Sequence, residues 1–440
     1  MSRKRSPRDA RFFGEDKGTS PRTPAQRDRD RLLYASAFRR LANVTQVVAA
    51  EHGYVFHNRL THTLKVAQIG RRLAESINSK AKTKTLAKSL GGLDPDVVEA
   101  AGLAHDLGHP PFGHLAEKVL DAAIVGQGVP GGYEGNAQSF RIVTRLAVRT
   151  EEKEERGLNL TRATLNAILK YPWVRKTSGK EHNKWSVYDS EEHIFKWVRA
   201  PRKGDTGKTL EAEIMDFADD IAYSVYDLED FYKAGKIPLE RLIQGHHSTE
   251  MELFLKGTFE RWQRDKKQAP GTEAECRSAI IAASTFFPPF PYSGTRSQRG
   301  FLRDMTSFFV GKYIVGLSLH KPAKPDEARV EIIPALKREM RMLQELTWHY
   351  VIKNPALATQ QHGYRKVIKE LFEALLAAIK EGNWALFPPS VSELIRDTSD
   401  SAENVRIVAD FIASMSEPQA LELYQRLMGI SIGSFLKSIH

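Results

Sequence analysis

Residues 102–117 read GLAHDLGHPPFGHLAE. The apolar residues leading into this stretch predict a helix, with Asp94-Pro95 as its cap and first turn. Gly108 and the Pro110-Pro111 pair end that helix, because proline removes a backbone donor and glycine tolerates tight turns. The residues after Gly108 should therefore form a tight loop that folds back towards the end of the helix.

The fourteen residues from 104 to 117 contain three histidines and two acids. These candidate functional residues are His105, Asp106, His109, His114 and Glu117. An adjacent imidazole and carboxylate at the end of an apolar helix are costly to bury unless they are coordinated or paired. A capped helix end with surface histidines is the alternative interpretation, but the density of titratable groups favours a functional site.

A lone His-Asp pair holds a divalent metal poorly, so further ligands are expected from other helices. His62 lies inside an otherwise apolar predicted helix marked by Leu60, Leu64, Ala67 and Leu73. By itself such a histidine is more often a satisfied core residue, but beside a His-Asp pair it becomes the natural third ligand. Arg59 lies on the same helical face and could meet a phosphate next to the metal.

The fourth ligand is expected from a strong helix over residues 211–232. Its polar face carries Asp219, Tyr223, Tyr226, Asp227 and Asp230, and its opposite face is apolar. A solvated acidic face is the alternative, although tyrosines among the acids suit the floor of a pocket. With Asp219 the site has two imidazoles and two carboxylates, which suits Mn, Fe, Co, Zn or, more weakly, Mg. Open positions on such an ion are typical of hydrolysis.

The rest of the chain predicts an all-α fold, since strands and helices do not alternate and no internal repeat is present. We expect a helix over residues 28–48, a polar connection at 80–92, and a long weakly structured connection at 175–208. A loop at 286–300, a short strand at 328–333 and helices near 334–353, 362–381 and 401–427 should follow. The predicted organisation is a basic, flexible arm (1–27), a helical core (28–285) and a C-terminal helical region (286–440).

Composition excludes several classes of protein. The 440 residues carry 65 Lys and Arg against 54 Asp and Glu, a net charge of +11 that suits nucleotides and nucleic acids alike. One cysteine, Cys276, rules out an intramolecular disulfide and fits a reducing cytoplasm. We expect no membrane span and no secretory signal, because no apolar run is long enough. No glycine-rich phosphate loop is present either, so phosphate chemistry would need a metal or basic side chains.

Six ordered strings resemble the deoxyguanosinetriphosphate triphosphohydrolase (dGTPase) family of HD-domain metal phosphohydrolases. They are QRDRDRLLYASAFRRLANVTQV (26–47), HNRLTHTLKVAQIGR (57–71), GLAHDLGHPPFGHLAE (102–117), YEGNAQSFRI (133–142), ILKYPW (168–173) and FADDIAYSVYDLED (217–230). The C-terminal VRIVADFIASMSEPQALELYQRLMG (405–429) resembles that family's final helices. The stretches 151–157, 175–208 and 293–300 follow no family pattern.

The resemblance implies an HD-domain helical core that hydrolyses dGTP and other deoxynucleoside triphosphates to the deoxynucleoside and inorganic triphosphate. It assigns the metal to His62, His105, Asp106 and Asp219. It assigns the catalytic pair to His114 and Glu117. It assigns phosphate contacts to Arg59, His109, Asn136 and Lys170. It assigns the reading of the sugar to Gln46, Tyr223 and Asp227.

Two alternatives remain open from the sequence. One is an HD phosphohydrolase acting on a nucleoside monophosphate, cyclic dinucleotide or alarmone; the other is a nucleic-acid-binding protein with a vestigial site, driven by the +11 charge. The resemblance also implies a homo-oligomer, most often a hexamer. A deoxynucleotide or single-stranded DNA could act as effector, and Arg296, Arg299 and Arg303 could meet the phosphate of a substrate or an effector.

Overall fold

The computed structural model describes residues 6–14, 20–46, 58–149, 156–176, 178–202, 204–243, 248–324 and 327–431. Within these ranges the chain is mostly helical and has almost no sheet, which confirms the predicted all-α class. The helices are α1 (Pro24–Tyr34), α2 (Ser36–Arg40), α3 (Arg59–Ser79), α4 (Ala81–Ser89), α5 (Pro95–Ala104), α6 (His114–Gly126), α7 (Gly135–Arg141), α8 (Arg162–Ile168), α9 (Lys180–Asn183), α10 (Glu192–Arg199), α11 (Leu210–Lys233), α12 (Leu239–Leu242), α13 (Thr249–Arg264), α14 (Glu273–Ser284), α15 (Arg296–Val315), α16 (Pro334–Thr347), α17 (Pro355–Lys380), α18 (Pro389–Arg396), α19 (Ser401–Ser414) and α20 (Glu417–Leu427). Strands β1 (Leu317–Leu319) and β2 (Val330–Ile332) pair antiparallel, and β2 is the strand expected from the sequence. No helix in the described ranges is long and apolar enough to cross a membrane.

Helices α3, α5 and α11 pack together at the centre of the fold. Each begins at a side-chain cap: the side chains of Asn58, Asp94 and Thr209 accept backbone N–H groups of the first turns. Gly102 lets α5 lie directly against α3, because a Cβ at this position would lie 2.7 Å from the Cα of Ala67. This close packing brings the end of α5 next to the side chains of α3 and α11.

Three apolar clusters surround these helices. The first joins α3 and α11 to helices α13–α16, the second joins α5 to α1, α2, α8 and α10, and the third joins α6 to α17–α20. The first cluster takes buried residues from both sides of residue 285, from Val66 to Val351. The boundary expected at 285/286 stays a prediction, and the later helices are packed into the same body as the earlier ones.

Several expected helix boundaries were wrong, each for a local reason. The helix expected over 28–48 is divided between α1 and α2, since Ala35 is extended (φ −65°, ψ 139°). The helix expected over 401–427 is divided between α19 and α20, since Met415 is extended (ψ 153°). The polar connection at 80–92 contains α4, and the connection at 175–208 contains α9 and α10.

The described part of the N-terminal segment, residues 6–14, is packed on the body, and the flexible arm expected over residues 1–27 stays a prediction. Arg11 is buried, and its guanidinium lies 2.6 Å from Oδ1 of the buried Asp28. Arg8 forms an ion pair with the buried Glu211. Buried arginines require paired acids, so these contacts hold the segment in place.

Candidate active site

Four side chains from three helices meet at the centre of the fold. His62 lies on α3, His105 and Asp106 directly follow α5, and Asp219 lies on α11. His62 Nε2 is 3.0 Å from Asp219 Oδ1, and His105 Nε2 is 3.8 Å from the same oxygen. His62, His105 and Asp106 each place one nitrogen or oxygen within 4.8 Å of the others. We call these residues, which the sequence analysis grouped, the four-residue centre.

The orientation of His105 fits a metal ion. Its Nδ1 lies 2.6 Å from the backbone oxygen of Gly102, so Nδ1 donates to the carbonyl and Nε2 carries the free lone pair. Within the described residues, Nε2 is buried and accepts no hydrogen bond. Metal-bound histidines usually have their second nitrogen held in this way. Together with the two carboxylates, the donor set could hold a divalent ion of the first transition series.

The Asp106 carboxylate is kept ionised by its neighbours. Burial alone would raise the pKa of Asp106, but its contacts with His105 and Arg59 outweigh burial and hold this pKa well below its usual value. Arg59 Nη1 donates to Asp106 Oδ2 at 2.8 Å, and both side chains are almost fully buried. An ionised carboxylate is the form that binds a cation.

Asp219 has a corresponding cation in Lys170. Burial would raise the pKa of Asp219, but Lys170 and His62 lower it well below the usual value. Lys170 Nζ lies 2.8 Å from Asp219 Oδ2 and 2.7 Å from Asp216 Oδ1. These two acids raise the pKa of Lys170 despite its burial, so the ammonium stays charged. A cation therefore lies on each side of the four-residue centre.

The loop after α5 is a tight turn over residues 107–113 that glycine makes possible. A Cβ on Gly108 would lie 2.1 Å from the backbone oxygen of Gly135, so no other residue fits without movement. Phe112 adopts a positive φ of 67°, which is rare for a bulky residue. Arg40 Nη2 donates to the backbone oxygens of Leu107 at 2.7 Å and His109 at 2.9 Å. The turn is thus strained but held by specific hydrogen bonds.

The turn presents a second group of titratable residues beside the first. His109 Nδ1 is 3.0 Å from Asp106 Oδ1, and its Nε2 is 3.2 Å from Glu117 Oε1. His114 Nδ1 is 3.1 Å from Glu117 Oε2. The His114 side chain is 67% exposed, whereas that of Glu117 is only 8% exposed. We call His109, His114 and Glu117 the turn cluster; its exposed imidazole is oriented by a buried acid.

Protonation in the turn cluster follows from burial and charge. Burial, together with the nearby Arg59 charge, lowers the pKa of His109 to about 4. Burial alone would raise the pKa of Glu117, but His114 and His109 outweigh it and lower this pKa below its usual value. Glu117 is therefore an anion that can stabilise a protonated His114.

Sequence reasoning missed two members of the site, Lys184 and Glu134. Lys184 Nζ is 2.6 Å from Glu134 Oε1 and 3.7 Å from Glu117 Oε2. Burial would lower the pKa of Lys184, but Glu134 and Glu117 raise it. Glu134 could have been found, because it belongs to the YEGNAQ string; Lys184 lies in the stretch of 175–208 that showed no pattern.

Most of the residues assigned to substrate contacts lie on one cleft of about 1420 Å³. The expected binding residues that line it are Gln46, Arg59, Asn136, Lys170 and Tyr223. Asp227 is 1% exposed and is not among the residues that line this cleft. It lies one turn below Tyr223, whose pKa is raised by burial and then by the Asp227 charge. The polar face of α11 was expected to form the floor of a pocket. The Tyr223 side chain on this face lines the cleft, whereas the Asp227 side chain is buried.

The far wall of the cleft is α17, which the sequence analysis did not connect to the site. Gln361, Tyr364, Arg365 and Lys369 of this helix line the cleft. Tyr364 stacks on Phe112 of the turn, with ring centroids 4.1 Å apart and planes 12° apart. The cleft therefore lies between the central helices and the C-terminal helices.

Comparison with known proteins agrees with this arrangement. Residues 59–224 match the family model of the HD domain, and residues 330–426 match that of the Phosphohydrolase-associated domain. A deoxyguanosinetriphosphate triphosphohydrolase-like protein of Streptomyces coelicolor is 36% identical over 438 residues, which cover 96% of each chain.

Two further relatives carry the same description. The protein of Corynebacterium efficiens is 36% identical over 423 residues, covering 93% of this chain and 92% of its own. That of Shewanella halifaxensis is 29% identical over 471 residues, covering 97% of each chain. With these similarities over nearly its whole length, the chain belongs to the deoxyguanosinetriphosphate triphosphohydrolase-like family of HD-domain proteins.

Proposed function

We propose that this protein hydrolyses deoxynucleoside triphosphates, dGTP among them, to the deoxynucleoside and inorganic triphosphate. The observation that carries the proposal is that the four-residue centre and the turn cluster adjoin each other, with His105, Asp106, His114 and Asp219 on one cleft. The HD-domain match supports a metal-dependent hydrolase, and the names of the relatives support a deoxynucleotide substrate.

The chemistry follows from these two groups. A divalent ion held by the four-residue centre would act as a Lewis acid towards a phosphoryl oxygen. Water forms a bond to the α-phosphorus and gives up a proton to solvent, while the bond from that phosphorus to the 5′-oxygen breaks. The leaving 5′-oxygen needs a proton, which His114 supplies as a general acid. Glu117, 3.1 Å from His114 Nδ1, orients the imidazole and stabilises its charged form.

Basic side chains would offset the charge of the triphosphate. Arg59 and Lys170 flank the four-residue centre, and each already contacts one of its acids. Lys184 lines the cleft on the side of the turn cluster. Asn136 donates to Glu134 at 2.9 Å and also lines the cleft. These residues are the proposed phosphate contacts.

Selection for deoxyribose is proposed to lie at Gln46, Tyr223 and Asp227. Gln46 and Tyr223 line the cleft, which supports a direct contact with the sugar. Asp227 is buried beneath, so in this proposal it fixes the Tyr223 phenol rather than the ligand. The fixed Tyr223 ring would then leave no space for a 2′-hydroxyl, and ribonucleotides would be excluded.

The test is a product assay with the full-length protein and each of the four deoxynucleoside triphosphates. Mg, Mn and Co are supplied separately, and ion chromatography identifies the released anion. We expect triphosphate and free deoxynucleoside, with little turnover of ribonucleotides. Release of pyrophosphate or single phosphate, or no turnover with any of these metals, would contradict the proposal.

Assembly and regulation extend the same proposal. We propose a homo-oligomer, with six subunits, whose activity responds to a second deoxynucleotide or to single-stranded DNA. Light scattering measures the subunit number. Assays with mixed nucleotides and with added oligonucleotides measure regulation; mixed rates that follow simple competition for one active site, and rates unchanged by oligonucleotide, would exclude it.

A further inference from the structure

The junction between α19 and α20 lies against the turn of the candidate active site. Glu417 follows this junction directly, and its side chain is almost fully buried, with 7% of the residue exposed. Arg40 joins the junction to the turn from the other side, because it donates to the backbone oxygen of Met415 at 3.2 Å and also to that of Leu107. The C-terminal helices therefore contact the active-site turn through defined polar groups.

The Glu417 carboxylate accepts three hydrogen bonds, each from a residue more than 300 positions away in sequence. Oε1 accepts the backbone N–H of Thr45 at 2.8 Å and that of Phe112 at 3.0 Å. Oε2 accepts the hydroxyl of Thr45 at 2.6 Å. Charge-assisted hydrogen bonds of this kind are among the stronger ones, and a buried carboxylate needs them.

The local sequence fixes where this carboxylate lies. Ser416 caps α20, and the side-chain oxygen of Gln419 accepts the backbone N–H of Ser416, which forms a capping box. Glu417 is the first residue of the helix and is followed by Pro418, whose ring suits the first turn. The start of α20 therefore holds the Glu417 backbone in place, and the Glu417 side chain extends from there to the turn.

One partner of Glu417 is the strained part of the turn. Phe112 has a φ of 67°, and Gly113 after it has a φ of 61°. The next residue is His114, the first residue of α6. A donor held at Phe112 stabilises this unusual backbone, and any movement there is passed directly to the imidazole.

The other partner belongs to a separate segment of the chain that also lines the cleft. Thr45 directly precedes Gln46, and both line the cleft. The backbone N–H groups of Thr45 and Phe112 meet at the same oxygen, Oε1 of Glu417. One carboxylate therefore ties the segment that carries Gln46 to the turn that carries His114.

We propose that Glu417 is a positioning residue for catalysis: it holds the His114 turn and the Gln46 segment at a fixed separation. This inference rests on the proposed hydrolysis of deoxynucleoside triphosphates for its kinetic consequence. The claim that Glu417 holds the turn does not depend on that activity. In this view the C-terminal region contributes to catalysis through Glu417, which acts by holding the turn.

The test compares Glu417→Ala with Glu417→Gln. Alanine removes all three hydrogen bonds. Glutamine keeps them, since its oxygen accepts the two backbone N–H groups and its amide donates to the Thr45 hydroxyl. We expect Glu417→Ala to lower kcat about tenfold to 100-fold, more than it raises KM, because small displacements of catalytic groups are costly. Glu417→Gln should restore most of that loss.

Amide hydrogen exchange over residues 107–116 provides a readout that does not depend on activity. We expect faster exchange in this segment for Glu417→Ala and near wild-type exchange for Glu417→Gln. The control is Tyr424→Phe, which removes a hydrogen bond from α20 to Glu370 on α17 without touching the turn. This control should leave both kcat and the exchange of the turn unchanged.

The outcomes separate this inference from the proposed function. Wild-type kcat and exchange in Glu417→Ala, or an equal loss in Glu417→Gln, would overturn it. If Glu417→Ala does not fold, Thr45→Val takes its place, because it removes only the hydroxyl contact and should give the same changes on a smaller scale. If the wild-type protein releases no triphosphate, the proposed function fails, and the exchange data alone decide the role of Glu417.

Discussion

The four-residue centre and the turn cluster adjoin each other but are built in different ways. The centre joins residues as far apart as His62 and Asp219, which are 157 positions apart, through the packing of three helices. The turn cluster takes its three residues from nine consecutive positions, between His109 and Glu117. The centre is thus a product of the core, whereas the turn cluster is a local structure that needs outside support.

This difference separates their expected roles. The residues of the centre are largely buried and lie among paired charges, which suits the holding of an ion. His114 is exposed to the cleft and is supported by one buried acid, which suits the transfer of a proton. Substitutions in the two groups should therefore differ in their effect on metal binding.

The largest effect is expected from Asp106→Asn, which should abolish metal binding and lower the rate at least about 10³-fold. An amide loses the charge that holds the cation, and Lewis-acid stabilisation is worth several kcal/mol. Metal content by mass spectrometry of the purified protein, together with kcat, measures both effects. The control is Glu373→Gln on the far wall of the cleft, which should keep the metal. A full metal content in Asp106→Asn would show that the centre is not the site of the ion.

The next largest effect is expected from His114→Ala, which should lower kcat by about 10²- to 10⁴-fold while the metal content stays unchanged. The variant removes the proposed acid but none of the four expected ligands. Steady-state kinetics and metal analysis measure the two quantities on the same sample. His182→Ala, an exposed histidine on the same cleft, is the matched control and should remain active. Loss of metal in His114→Ala would remove the distinction between the two groups.

A smaller effect is expected from Gly108→Ala, which should lower the free energy of unfolding by about 1–3 kcal/mol, typical of an overpacked site. The added Cβ would meet the backbone oxygen of Gly135 at 2.1 Å, and neither backbone can move freely. Denaturant unfolding measures this change. Gly311→Ala in α15 serves as comparison, because an added Cβ there has no atom within 4 Å, and this variant should not be destabilised. If Gly108→Ala is as stable as the wild type, the turn has room for an added methyl group and is not tightly packed.

The smallest effect is expected from Lys184→Ala, which should lower kcat about threefold to tenfold, since a partly exposed charge is screened by solvent. The lysine stabilises the charged forms of Glu134 and Glu117. The same kinetic assay measures this loss of kcat. Lys176→Ala is the control, because the Lys176 side chain is the more exposed of the two lysines. A loss as large as that of His114→Ala would instead make Lys184 a direct participant.

The turn and the helices that carry the candidate site were predictable because they follow local patterns. Gly108 and the two prolines predicted the turn, and the cap at Asp94 was confirmed. The helix expected over 211–232 was confirmed as α11, because its periodicity is long and strong. The break at Ala35 was not predictable, since alanine favours helix and only its surroundings make it extended.

The amino-acid sequence by itself determined the three central helices, the tight turn and the types of side chain that suit a metal and a proton donor. These follow from backbone preferences and charge over a few neighbouring residues. Only the tertiary structure decided that Glu417 supports the turn, that α17 forms the far wall and that Arg11 is buried. Contacts between residues hundreds of positions apart depend on the packing of whole helices, for which no short stretch of sequence carries a signal.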